Sequence, residues 1–238
     1  MSDFKYHRPS NFPPIVKNLV IINVLVFVAQ LVFDKDYDLT NILALHPVDT
    51  PFFKPYQVFT HMFTHSPTLI FHIVFNMLVL WMFGRVLENV WGPKRFLIFY
   101  LACGIGAATL HLLVQHLRYD PELVRQLEIA YQMRDAQTYN LLQEKAGFLA
   151  SAVGASGAIM GIMAAFAYLF PNTPLVILPF PFPIKAKWLV LLYIAFDLLG
   201  GFGSIRGDRI AHFAHLGGAL TGFLIVLMWN KTNRRTLY

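Results

Sequence analysis

Apolar residues along this chain come in long runs, where a soluble core would disperse them. The runs fall at roughly 15–33, 69–87, 94–117, 156–170, 186–203 and 213–229, and runs of this kind are what a bilayer selects. They predict an all-α polytopic membrane protein, six transmembrane helices in one bundle, organised as a single domain over 1–238. The first run, IVKNLVIINVLVFVAQLVF, follows the polar start MSDFKYHRPSNFPP and has no small-residue cleavage site after it. It reads as a retained anchor and not as a signal peptide. The fourth run is short for a bilayer that takes about 20 residues. The stretch GFLASAVGASG before it is therefore predicted to enter the membrane as irregular, partly re-entrant backbone that turns helical near Ser156. Backbone of that kind is tolerated at membrane depth only when it is buried in protein or lines a wet cavity.

Composition agrees with the pattern. Hydrophobic residues make up 56% of the chain and charged residues only 13%, and the mean hydropathy is +0.53. Charge then orients the six spans. If both termini share one side, that side holds 11 Lys/Arg against Asp3 and Glu88, net +9, and the remainder carries net −3. Lys/Arg excess marks the cytoplasmic face, so both termini are expected there, in a multi-pass protein of the cell (plasma) membrane. The chain lacks a basic patch with interleaved aromatics, which removes a nucleic-acid partner. Cys103 is the single cysteine, so no disulfide framework is possible. Residues 118–147 form a charged insert, placed outside by this topology, with a weak helical stripe of Leu123, Leu127, Ala130, Tyr131 and Arg134.

Four features carry candidate chemistry. GASGAIMG, 154–161, puts Ser156 at the start of the short fourth span, where helix N–H groups stabilise a nearby oxyanion. On spacing alone, the favoured reading is instead that Gly157 and Gly161 form a close-packing pair. In AHFAHLGGALTG, 211–222, the residues Ala214, Gly218 and Gly222 recur every four positions along one face. Packed against Gly157 and Gly161, they would bring two helix axes close enough for a histidine beside them to reach across. His212 and His215 are about 60° apart on that helix, so only one points squarely at Ser156, and His215 directly follows Ala214. In HIVFN, 72–76, His72 and Asn76 share one face of the second span, either as interhelical glue or as donors aimed at developing charge. His61 and His65 invite a metal reading, but HExxH is missing and no acidic ligand lies near them. His7, His46, His111 and His116 read as interfacial or loop residues without a role. Asp197 reads as partnered or water-facing and not catalytic.

Nucleophile, base and oxyanion donors thus fall on three different spans. GASG at 154–157, HIVFN at 72–76 and AHLGGALTG at 214–222 resemble, in order, the three signature segments of the rhomboid family of intramembrane serine proteases. GRVLENVWG, 84–92, resembles that family's loop after the second span, with Glu88 and Gly92 in place. The resemblance covers roughly residues 15–230. It implies a Ser–His dyad of Ser156 and His215, with His72, Asn76 and the Ser156 amide binding the oxyanion, and neither cofactor nor metal. It also implies an endopeptidase whose partners are the lipid bilayer and single-span membrane proteins, cut near the outer leaflet. Two departures are visible. Tyr56-Gln57 stands where the family often has Trp-Arg, and Met160 stands where an aromatic usually stacks on the base. The alternatives are a catalytically silent relative that binds membrane segments, which typically lacks the Ser or the His, and a histidine-relay transporter, which predicts inverted repeats that are not visible here.

Overall fold

The computed structural model describes residues 9–145, 150–177, 180–202 and 211–232. His7, residues 146–149 at the end of the insert, and the charged residues of the first eight and last six positions lie outside them. Among the described residues, helices Pro14–Tyr37, Ile70–Trp91, Pro93–Leu117 and His212–Asn230 are long and apolar enough to cross a membrane. Ser156–Leu169 and Ala186–Phe202 are helical too, but shorter.

The first helix is arranged inside out relative to a soluble one. Leu25, Val28, Leu31 and Val32 face outward, while Asn23 and Gln30 are fully buried. Outward aliphatic side chains are at home against lipid, and the inward amides must find protein partners. Asn23 Nδ2 donates to the Leu19 carbonyl at 2.7 Å. Gln30 grips the backbone of His65 from both sides: its Nε2 donates to the His65 carbonyl at 2.7 Å and its Oε1 accepts from the His65 N–H at 3.0 Å.

The N-terminus of the same helix is capped from a distance. Pro14 has no N–H to satisfy, and the next two amides, of Ile15 and Val16, donate to the two carboxylate oxygens of Glu88 at 2.9 and 2.8 Å. A negative group at a helix N-terminus meets both the unpaired N–H groups and the helix dipole. Glu88 lies in the helix Ile70–Trp91, whose path is loosened by a π-turn at Leu80–Gly84. Gly92, at φ 78°, then turns the chain into Pro93–Leu117.

The short helix Ser156–Leu169 occupies the centre. Every residue from Gly157 to Phe166 is buried. Glycine makes this possible by letting three helices meet backbone to backbone. A Cβ on Gly218 would fall on the Gly157 carbonyl, one on Gly222 would lie 2.6 Å from the Gly161 Cα, and one on Gly217 would lie 2.6 Å from the Gly106 carbonyl. The ridge Ala214/Gly218/Gly222 therefore packs on Gly157 and Gly161 as its spacing predicts.

An antiparallel hairpin, Pro174–Ile177 with Phe180–Lys185, leads from the Ser156 helix into Ala186–Phe202. The insert forms two helices, Pro121–Gln132 and Ala136–Lys145, the first capped by Asp120. Its stripe ends sooner than the spacing predicts, because Arg134 sits in the turn at φ 55°. His111 also departs from expectation: it is buried within Pro93–Leu117, not interfacial.

Candidate active site

Ser156 is the first residue of its helix, and the chain before it is pinned. Leu45 and Ala152 exchange both backbone hydrogen bonds at 2.9 Å, and Gly154 N–H donates to the His61 carbonyl at 2.9 Å. Gly154 then adopts φ 129°, open only to glycine, and the helix begins two residues on. The described part of the approach, 150–155, is thus irregular backbone, and the first amides of the helix are left without intrahelical partners.

His215 reaches across the glycine seam. Its Nε2 lies 2.8 Å from Ser156 Oγ. Its Nδ1 lies 3.0 Å from Asp197 Oδ1, and His212 Nδ1 approaches the same oxygen at 2.8 Å. An ionised carboxylate only accepts, so each Nδ1 carries a hydrogen and donates it, which leaves His215 Nε2 as acceptor for the serine hydroxyl. The His215 side chain keeps 20% of its surface exposed, whereas those of His212 and Asp197 keep 5% and 2%. Of the two histidines, His215 bonds to the serine, and both bond to the acid.

His72 faces the same place from the helix Ile70–Trp91, which also carries Asn76. His72 Nδ1 accepts from the Ser66 N–H at 3.4 Å, which leaves Nε2 as the protonated nitrogen. A Cβ on Gly154 would lie 2.9 Å from that Nε2 and 3.5 Å from Ser156 Oγ, so the missing side chain opens the space between them. Asn76 Nδ2 donates one hydrogen to the His72 carbonyl at 2.8 Å and has a second to offer.

The loop carrying His61 and His65 is held by glutamines. Buried Gln57 accepts from the N–H groups of His46 and Lys54 through Oε1, and donates from Nε2 to the Ile42 and Phe52 carbonyls. It thereby ties the loop together from the position where the departure from Trp-Arg stands. His61 Nδ1 donates to the Gln57 carbonyl at 2.8 Å, and burial pushes its pKa down to about 4. Burial likewise lowers His65 to about 4, with nearby His72 adding to the effect. Its ring lies 5.1 Å from that of His72. Among the described residues, no three His, Cys, Asp or Glu side chains are grouped to hold a metal ion. Met160 is buried in the core.

A serine hydroxyl, an imidazole acceptor and the His72 donor therefore meet at one partly exposed spot, a set of the kind that suits acyl transfer. Sequence reasoning missed two contributors. Gly154 was hidden within a motif read for its serine. Asp197 showed one signal, a lone acid in an apolar run, which is costly without a partner.

Comparison with known proteins bears on this geometry. A model of the rhomboid domain matches residues 53–231. RHOMBOID-like protein 12, mitochondrial, of Arabidopsis thaliana is 31% identical over 86% of this chain and 55% of its own length. Rhomboid protease AarA of Providencia stuartii is 27% identical over 89% of this chain and 70% of its own length. Rhomboid protein 1, mitochondrial, of Saccharomyces cerevisiae is 28% identical over 64% of this chain and 36% of its own length. The chain thus spans between about a third and about two thirds of these curated relatives. The mitochondrial names overturn the expectation of a plasma membrane with cytoplasmic termini. A Lys/Arg bias tells one side of a membrane from the other but does not say which membrane it is. With the family match covering most of the chain and the helical membrane fold beneath it, this chain belongs to the rhomboid family.

Proposed function

We propose that this rhomboid is an intramembrane serine endopeptidase that cleaves single-span membrane proteins with a Ser156–His215 pair. The 2.8 Å contact between His215 Nε2 and Ser156 Oγ carries the reading. A serine hydroxyl is a weak nucleophile until a base takes its proton, and a neutral imidazole with a free ring nitrogen can take it.

In the first step Oγ attacks the scissile carbonyl while His215 Nε2 accepts the hydroxyl proton. The resulting oxyanion is met by the Ser156 N–H, His72 Nε2–H and the free Asn76 Nδ2–H. Collapse breaks the C–N bond, His215 returns the proton to the leaving amine, and Ser156 holds the acyl group as an ester. Water, deprotonated by the same imidazole, then releases the acid and restores the hydroxyl. The partial exposure of Ser156 and His215 gives that water access.

The full six-span bundle, with both shorter helices counted as spans and 150–155 entering at membrane depth, belongs to this reading, as does one domain over 1–238. A mitochondrial membrane is the setting that the relatives' names favour. Both Ser156 and His215 are present, which counts against a silent relative. The test is to incubate the purified chain and its Ser156→Ala variant with a labelled single-span substrate in liposomes. Cleavage by the wild type alone is expected, and undiminished cleavage by Ser156→Ala would sink the assignment.

A further inference from the structure

Helix Ala186–Phe202 is apolar except for its flanking Lys187 and one acid, Asp197, which is buried to 1% exposure. Both of its ion-pair contacts are histidines of the neighbouring helix, and both use Oδ1; Oδ2 is buried without a hydrogen-bond partner among the described residues. We propose that Asp197 is the positioning carboxylate of the active site. It fixes the tautomer and aim of His215, and His212 is its second anchor. The inference rests on the reading of Ser156 as nucleophile and His215 as base.

To accept the serine proton at Nε2, neutral His215 must carry its own proton on Nδ1, and a buried Nδ1–H needs an acceptor. Asp197 Oδ1, at 3.0 Å, supplies it. When His215 takes the Ser156 proton, an imidazolium forms beside that carboxylate in surroundings that screen charge poorly, so their attraction is strongest in the state that must be stabilised. No proton need pass to Asp197.

His212 fits the same account. A lone carboxylate in a span is costly, and one imidazole N–H is a thin counterweight. A second donor on the same oxygen makes the ionised acid tenable and holds Oδ1 still. Among the described residues, the groups facing His215 are Ser156 on its own short helix, Asp197, His212 one turn away, and His72 and His111 from the two helices behind. None of these except Asp197 is an anion, so removing its charge has a definite sign. The imidazolium loses its counter-charge, and His215 deprotonates at lower pH.

The experiment compares wild type, Ser156→Ala and Asp197→Asn of the full chain in liposomes with one labelled single-span substrate, over a range of pH. Asp197→Asn is expected to lower kcat by about 10² or more, with KM unchanged, and to move the acid limb of the kcat profile to lower pH. A role as a mere tether between helices would leave that limb in place. Wild-type kcat and an unmoved limb in Asp197→Asn, with Ser156→Ala inert, would overturn this inference alone. Cleavage by Ser156→Ala would instead remove the protease reading on which it rests. If Asp197→Asn does not fold, ¹⁵N-histidine spectra of the wild type decide, with His215 assigned by its loss in His215→Ala. A neutral His215 protonated on Nδ1, with a far-downfield proton, supports the proposal, and protonation on Nε2 overturns it.

Discussion

At the level of single residues, most of the candidate site was legible because its chemistry is local. Serine at a helix start, and His72 four residues before Asn76, are patterns that a one-dimensional reading can see. If Asn76 is the oxyanion donor proposed above, Asn76→Ala should cut turnover by about 10²–10³-fold with little change in KM; initial rates on a single-span substrate test this, and full turnover would return the pair to structural glue. His215→Ala should eliminate cleavage, whereas His212→Ala should reduce it less, because Asp197 keeps its bond to His215. Activity should rise with pH as His215 loses its proton, because only neutral imidazole accepts one. His61 and His65 give a separate pH effect, on stability. Both are held near pKa 4 in the folded chain by burial, below the histidine value of 6.5. The unfolded chain therefore binds more protons between those limits, and stability should fall as pH drops from about 6.5 towards 4. Thermal unfolding in detergent across that range checks the sign. What stayed illegible was Asp197, whose partners are 15 and 18 residues away on another helix. Periodicity assigns a residue to a face but does not say which helix that face meets.

At the level of elements, the helices followed from the apolar runs, and their junctions did not. The ridge at 214, 218 and 222 was readable because small residues at a four-residue period have few uses inside a membrane. Gly218→Val should destabilise by at least about 2 kcal/mol, since its side chain would meet the Gly157 backbone, which cannot swing aside. It should also slow labelling of Ser156 by a serine-directed phosphonate, because the wedge parts nucleophile from base. Glu88 is the opposite case. No local pattern says that a carboxylate at 88 caps a helix that begins at 14, for the contact spans more than 70 residues. Glu88→Ala strands one buried and one part-buried amide and should cost about 1–3 kcal/mol, seen as a lower unfolding temperature, while the activity of the molecules that remain folded is retained. Gln57 was legible only as a departure. Its four hydrogen bonds to the surrounding loop show an amide doing the tying from that position.

At the level of the whole molecule, hydropathy gave a multi-pass membrane protein, while the plasma-membrane address read beside the charge bias was corrected by the mitochondrial relatives. The glycine seam has a consequence at this scale too. Bilayers differ in thickness, and a membrane protein answers by tilting its helices or deforming the lipid around it. Helices joined through long side chains can shear as those chains change rotamer. Between the Ser156 and His215 helices main chain touches main chain, so these two must tilt as one piece. Changing the acyl-chain length of the host lipid should therefore alter how a substrate helix docks, and hence KM, while kcat, set by a gap between two backbones, stays nearly constant.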